Sequence, residues 1–289
     1  MSVARWLELR VRAPDTDPDL VVEALLEIGG RAVQEDGAWQ VTHIEDPGAG
    51  GAIEALVAAL RARIPDAPDV QVETRWQRQE DWEVFWRRGL EARRLTDRLV
   101  VTPSWIETDP GPGDLVIVLD PKMAFGNAEH GTTRGCLRLL DGLVRPGDRL
   151  LDVGAGSAIL SIAGALFGAG RVEALEADPL AIPAAAENLE RNGVADRVSL
   201  RQVRVTNDDL VALPHFDGVM ANLEAGLLRP LLPGLAHATR PGGWLVLSGI
   251  LDHEWEDVRA AVESLGLRLR AVDADGEWCS GLFRRPGGD

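Results

Sequence analysis

Apolar and polar positions along this chain follow two periods, and the switches between them mark out its organisation. "WLELRV" near the amino end alternates with the period of a strand. The Pro- and Asp-rich "APDTDPD" leads into "LVVEALLEIG", whose apolar residues recur at helical spacing. Two further alternating runs, "RAVQE" and "WQVTHIE", flank the turn signal "DGA". "GAIEALVAALRARI" restores the helical period and stops at Pro65, and "VQVETRW" returns to the strand period. This order predicts a small N-terminal α+β domain of ferredoxin-like topology over residues 1–76. Many functions share that fold, so it assigns none by itself.

Residues 77–98 predict a connecting helix. In "QEDWEVFWRRGLEARRLTDR" the aromatics Trp82, Phe85 and Trp86 fall at helical spacing, which suits docking onto a domain. Arg87, Arg88, Arg93 and Arg94 suit a solvated face or an acidic partner equally well. Two strand patterns, "RLVVTPSWIE" and "DLVIVLD", then surround the loop "TDPGPGD". Strand–helix units follow in series: "RLLDVG", "AILSIAGALFG", "RVEALEAD", "PLAIPAAAENLERN", "VSLRQV", "DGVMANL", "LLRPLLPGLAHAT", "GWLVLSG" and "HEWEDVRAAVESLG". The last stretch, "LRLRAVDADGEWCSGLFRR", holds two strand patterns joined at "DADG". Residues 99–289 therefore predict an α/β domain with a doubly wound, Rossmann-like sheet and an antiparallel edge strand. Ligand chemistry belongs beyond the carboxyl ends of such parallel strands.

Composition narrows the function classes. The 289 residues suffice for a large core, and 46 acidic against 30 basic side chains give a formal charge of −16. That balance disfavours long-range attraction to nucleic acid, so no direct nucleic-acid partner is expected. No apolar run is long enough to span a membrane, and "MSVARWLELRV" lacks a signal-peptide core, so a cytoplasmic location is expected. Cys136 lies in an apolar helical pattern and Cys279 in a terminal strand pattern, without metal-ligand spacing. The histidines are scattered, and no metal site is expected.

Two loops carry the candidate chemistry. In "LLDVGAGSAIL" a strand ends at Asp152 and turns through Gly154 and Gly156 into a helix, bringing backbone N–H groups close to a ligand. Glu176 ends the next strand, where a carboxylate accepts ribose hydroxyls. The dinucleotide fingerprint would need a third glycine at Ile159, which weakens a nicotinamide oxidoreductase reading. A carboxylate at Asp152 repels a diphosphate and suits a cationic ligand. An adenosine bearing an amino-acid sulfonium meets these demands. The preceding loop, "LDPKMAFGNAEHGTT", is dense in polar groups, as one half of a shared pocket would be.

These stretches, with "ALEADPLAIPAAAENLERNGV", "FDGVMANLEAGLLRPLLPGL", "PGGWLVLSGIL", "DWEVFWRRG" and "DGEWCSGLF", resemble the class I S-adenosylmethionine-dependent methyltransferases, and more narrowly the ribosomal protein L11 methyltransferase family. The resemblance covers nearly the whole chain. It implies methyl transfer from S-adenosyl-L-methionine to lysine side chains and the N-terminal amine of ribosomal protein L11, held by the N-terminal domain. It places Phe125, Gly126, His130, Thr132 and Thr133 on a loop folding over the cofactor, and Gly154 and Gly156 on the cofactor turn beside Asp152. Glu176 falls on the ribose-binding position, and Asn222 beside the cofactor as the residue orienting the acceptor amine. The chain departs from the family's pattern at Asn127, Ala128, Glu129 and Gly131, and at Ala158, where a third glycine is usual. An N-methyltransferase acting on another protein or small-molecule amine is the alternative those departures suggest. A non-enzymatic binder with a degenerate pocket would bind the cofactor weakly. His130 also suits hydrogen bonding within its turn, with Thr132 and Thr133 capping the following helix. Asp178, before Pro179, reads as a helix N-cap. Glu224 suits either an acceptor-facing position or a tight turn.

Overall fold

Alternation in the amino-terminal strands resolves into one buried and one polar face. The computed structural model describes residues 5–14, 16, 18–30, 33–48, 51–64, 69–78, 91–120 and 125–287. The chain forms two units, Met1–Gly89 and Leu90–Asp289. The first contains β1 (Arg5–Arg12), α1 (Pro18–Glu27), β2 (Val33–Asp36), β3 (Trp39–Glu45), α2 (Ala52–Arg63) and β4 (Gln71–Arg78). Its sheet order is β2-β3-β1-β4 with every neighbouring pair antiparallel, the ferredoxin-like arrangement expected from the element order. Leu7, Leu9 and Val11 alternate along β1 and are all buried, with Val11 packing among Val21, Leu25 and Leu60 of the two helices.

The second unit opens with β5 (Arg93–Arg94), β6 (Leu99–Thr102) and β7 (Leu115–Val118), a separate three-stranded sheet. It continues through α3 (Gly131–Leu140), β8 (Arg149–Val153), α4 (Ile159–Leu166), β9 (Arg171–Glu176), α5 (Ala181–Arg191), β10 (Val198–Gln202) and α6 (Asn207–Ala212). Next come β11 (Phe216–Asn222), α7 (Ala225–Leu228), a 3₁₀ turn (Arg229–Leu231), α8 (Leu232–Ala238) and β12 (Thr239–Leu251). The chain finishes with α9 (Asp252–Ser264), β13 (Arg268–Asp275) and β14 (Trp278–Arg284). The main sheet has the order β10-β9-β8-β11-β12-β14-β13. Strands β10 through β12 run parallel, and the β13–β14 hairpin adds the expected antiparallel edge. Two apolar clusters line this unit, one including residues of α3, α4 and α5, the other residues of α6, α7, α8 and α9. Strands β8, β11 and β12 read as largely apolar runs because both faces are covered. The order reverses between β8 and β11, so their carboxyl ends open the crevice where ligands bind in such sheets.

Several elements differ from the sequence reading. Of the expected connecting helix, residues 79–90, including Trp82, Phe85, Trp86, Arg87 and Arg88, lie outside the described residues. At its two ends the backbone is extended instead: Gln77 and Arg78 belong to β4, and Arg93–Arg94 pair with β6. "LLRPLLPGLAHAT" forms two short helices around a 3₁₀ turn, because Pro230 and Pro233 each lack an N–H for an unbroken ladder. Helix α6 has no counterpart in the sequence reading. Cys136 is buried in the core as expected; its thiol, pushed up to about 12 by burial, and that of Cys279 are both free. Among the described residues no helix is long and apolar enough to cross a membrane.

Candidate functional site

Strand β8 must hand the chain to α4 within a few residues, and the turn that does so is wedged on both sides. Gly154 and Gly156 hold φ of 77° and 53°, in the left-handed region that glycine tolerates. A Cβ at Gly156 would strike the carbonyl oxygen of Phe125, and one at Gly154 the side chain of Leu223. The turn is therefore pressed between the 125–130 loop and the residue that follows Asn222. Ser157 joins the first pair: its N–H donates to Phe125 O at 2.8 Å and its hydroxyl to Gly126 O at 2.5 Å. The two loops singled out in the sequence thus meet directly.

Glu176, at the end of β9, is mostly buried and accepts from Gly156 N and Asp178 N, both at 2.7 Å. Its bond to Gly156 N fixes the turn that the Phe125 carbonyl also touches. Asp152 is 1% exposed, and Ser161 Oγ donates to its Oδ2 at 2.6 Å. Its Oδ1 has no hydrogen-bond partner among the described residues. Burial pushes the Asp152 carboxyl up to about 6, the nearby Glu176 charge adds to this, and the Ser161 hydrogen bond opposes it. Asn222 Oδ1 and Thr133 Oγ1 are likewise buried and unpartnered among the described residues. Asp152 and Asn222 lie on adjacent parallel strands, β8 and β11. Buried polar atoms are rarely left unsatisfied, so the two on these adjacent strand ends are candidates for ligand contact, with Thr133 in the first turn of α3 a third.

His130 stands between two rings, edge-on to Phe125 at 5.1 Å and tilted against Trp278 at 5.0 Å. Its Nδ1 lies 2.7 Å from Thr132 Oγ1. Burial and then the Arg134 charge hold the imidazole below its usual range, against the pull of Glu277 and Asp275. The capping role considered for Thr132 and Thr133 is not adopted: His130 occupies the N-cap of α3, no side chain caps it, and both threonines lie inside the first turn. Asp178 also sits short of the N-cap of α5, which is Leu180; Asp178 Oδ1 instead accepts from Leu180 N at 2.9 Å. Glu224 is the exposed N-cap residue of α7 and bonds through its backbone carbonyl.

The departures from the family pattern each have a local use. Asn127 Oδ1 accepts from Glu129 N and His130 N, at 3.0 and 3.2 Å, tightening the loop. Ala128 is buried in the core cluster, and Glu129 pairs with Arg93 at 2.5 Å. A Cβ at Gly131 would stand 2.9 Å from Asp275 O, so glycine lets α3 start against the β13–β14 hairpin. Ala158 holds φ 66° at the N-cap of α4, fully buried.

Other residues that shape the site escaped the sequence reading. Arg134 donates to the carbonyls of Ala128 and Glu129 and makes a two-pronged bond to Asp275, at 2.8 and 2.6 Å. Arg138 bonds Asp273 and Asp275 beside it, and the two arginines hold the Asp275 carboxyl well below the usual carboxylate range. Trp278 forms one wall of His130. Nothing in sequence spacing links α3 to this hairpin, although "DGEWCSGLF" was part of the resemblance.

A seven-stranded sheet of this order, with its glycine turn and neighbouring carboxylate at the point of strand reversal, defines a class I S-adenosylmethionine-dependent methyltransferase. Residues 5–286 match the family model described as ribosomal protein L11 methyltransferase (PrmA), and the chain belongs to that family. It is 41% identical to the ribosomal protein L11 methyltransferase of Chloroflexus aurantiacus, over 99% of this chain and 100% of that one. It is 39% identical to the protein of that name from Pelotomaculum thermopropionicum, over 94% and 96% of the two chains. The crystal structure of ribosomal protein L11 methylase from Lactobacillus delbrueckii subsp. bulgaricus matches with a TM-score of 0.61 at 28% identity, covering 68% of this chain and 99% of that one.

Proposed function

We propose that this enzyme transfers methyl groups from S-adenosylmethionine to amines of ribosomal protein L11, at lysine side chains and the N-terminal amine. The observation that carries the reading is the wedge itself: a glycine turn closed against the Phe125–Gly126 loop, at the sheet end where Asp152 Oδ1 and Asn222 Oδ1 are buried and have no partner among the described residues. The family match along the chain supports L11 as the acceptor.

The residues present fit the cofactor. Asp152 offers a carboxylate oxygen to a cationic end. Glu176 still has acceptor capacity beyond its two backbone amides, which suits ribose hydroxyls. Gly154 and Gly156 keep side chains out of the approach, while Phe125, 57% exposed, and His130 form an aromatic cover with Thr132 behind them. When bound, S-adenosylmethionine supplies a methyl group already activated by its sulfonium. The protein's part is then mostly alignment. An acceptor amine must reach the site neutral, and partial burial beside Phe125 and Leu223 lowers its pKa in the required direction. Asn222 Oδ1 accepts an N–H of that amine and orients its lone pair. Because Asn127, Ala128, Glu129 and Gly131 are all engaged within the protein, their departures do not call for a different acceptor. The N-terminal α+β unit is the proposed holder of L11, in the cytoplasm.

The test incubates the intact chain with S-adenosylmethionine and purified, unmethylated L11, and follows the L11 mass. Stepwise methyl additions, with kcat reduced at least about tenfold by Asn222→Ala and cofactor affinity less affected, are expected. Cofactor binding without any modification of L11 would refute the acceptor assignment.

A further inference from the structure

We infer that Asn188 is a positioning residue for the cofactor site, tying the glycine turn to the strand that leads towards the 125–130 loop. Its side chain, on the inner face of α5, is completely buried, and all of its hydrogen-bonding capacity is used. Nδ2 donates to Ser157 O at 3.2 Å and Asp120 O at 3.3 Å. Oδ1 accepts from Asp120 N at 3.1 Å and an Arg191 guanidinium nitrogen at 3.0 Å. One amide thus grips both backbone groups of Asp120, just past β7, and the carbonyl of Ser157, the residue that closes the glycine turn.

Ser157 extends the bracket, since its own N–H and hydroxyl hold the carbonyls of Phe125 and Gly126. Asp120 is further fixed by Arg191, 3.1 Å from its carboxylate. The chain before the loop and the glycine turn are therefore joined through one buried amide, and Ser157 carries the link on to the start of the loop. No aspect of this requires Asn188 to touch the ligand. It sets the spacing between the two walls that do.

Asn192, one helical turn further along, serves as a natural control. Its Oδ1 accepts from Val118 N at 2.8 Å, and its Nδ2 donates to Val118 O at 2.7 Å and Asn188 O at 2.8 Å. It secures the same strand with comparable bonds but makes none to the glycine turn. A purely structural role for the pair predicts equal behaviour for the two residues. A positioning role separates them.

The inference rests on the cofactor reading of this site, and the test separates failure of one from failure of the other. Binding of S-adenosylhomocysteine to the full chain is measured by calorimetry, with unfolding midpoints and KM for L11 alongside. Asn188→Ala is expected to weaken binding about tenfold or more while KM for L11 stays within about twofold. Asn192→Ala is expected to lower the unfolding midpoint similarly yet keep affinity within about threefold. Equal affinities for the two variants would overturn the inference, and no binding by the unaltered chain would overturn the cofactor reading itself. Should Asn188→Ala not fold, hydrogen exchange on the unaltered chain decides. The Asp120 and Ser157 amides are expected to gain protection together when S-adenosylhomocysteine is added. Protection confined to residues 154–158 would overturn the link.

Discussion

Ala158 adopts a backbone conformation that costs an L-residue roughly 1–2 kcal/mol, with φ at 66° where the family usually has glycine. Two effects offset that cost. The methyl is fully buried, worth about 0.8 kcal/mol, and alanine leaves the unfolded chain less freedom to lose, worth about 0.4–1 kcal/mol. The sum explains how alanine persists there. Ala158→Gly should change unfolding free energy by no more than about 1 kcal/mol, measured in urea; a loss above about 2 kcal/mol would show that the methyl does more. Asp152 supplies a pH-dependent prediction. Its folded pKa, about 6, lies above the ordinary 3.8, so the native state holds the extra proton between those values. The associated stability is complete below about pH 4 and lost as pH rises through about 6. Subtracting the pH profile of an Asp152→Asn variant should expose that decline in the ligand-free protein. A cationic ligand favours the ionised form, so S-adenosylmethionine should bind more weakly as pH falls below about 6, and less so in the variant. An identical pH dependence of binding in both proteins would place Asp152 outside the ligand's reach.

At the scale of elements, the anchorage of the 125–130 loop is shared between α3 and the β13–β14 hairpin. Arg134 bonds two loop carbonyls and Asp275 at once, in partly buried surroundings. Arg134→Ala should cost about 2 kcal/mol of stability and also weaken S-adenosylhomocysteine binding, read by urea unfolding and calorimetry. Weakened stability with unchanged affinity would confine the network to the fold. This anchorage was invisible in the sequence, because residues 134 and 275 are joined only by tertiary packing. The same holds for Asn188 and Ser157. By contrast, "RLLDVG", "RVEALEAD" and "DGVMANL" announced buried parallel strands, their apolar runs bounded by turn residues. Gly154, Gly156 and Glu176 were legible because a tight turn and a strand-end carboxylate have local signatures. Helix α6 escaped because six residues, "NDDLVA", show almost no period, though its capping box of Thr206 and Asp209 was there to read. Pro230 and Pro233 in "LLRPLLPGLAHAT" are local signals of the break that splits this segment.

For the whole molecule, changes of apolar period foretold both the ferredoxin-like element order and the doubly wound sheet, whereas the methyltransferase class was legible only through the resemblance of the motifs. The formal charge of −16 favours basic partners over long-range attraction to nucleic acid. Within the second unit, every candidate cofactor residue lies on the loop before α3 or its first turn, or at the carboxyl ends of β8, β9 and β11 and the turns that follow. The most direct measurement is therefore a crystal structure of the intact chain with S-adenosylhomocysteine. The ligand should lie against Gly154–Gly156 beneath Phe125, with its ribose hydroxyls on Glu176 and its sulfur near Asn222. A ligand bound elsewhere, or ribose hydroxyls facing away from Glu176, would contradict it.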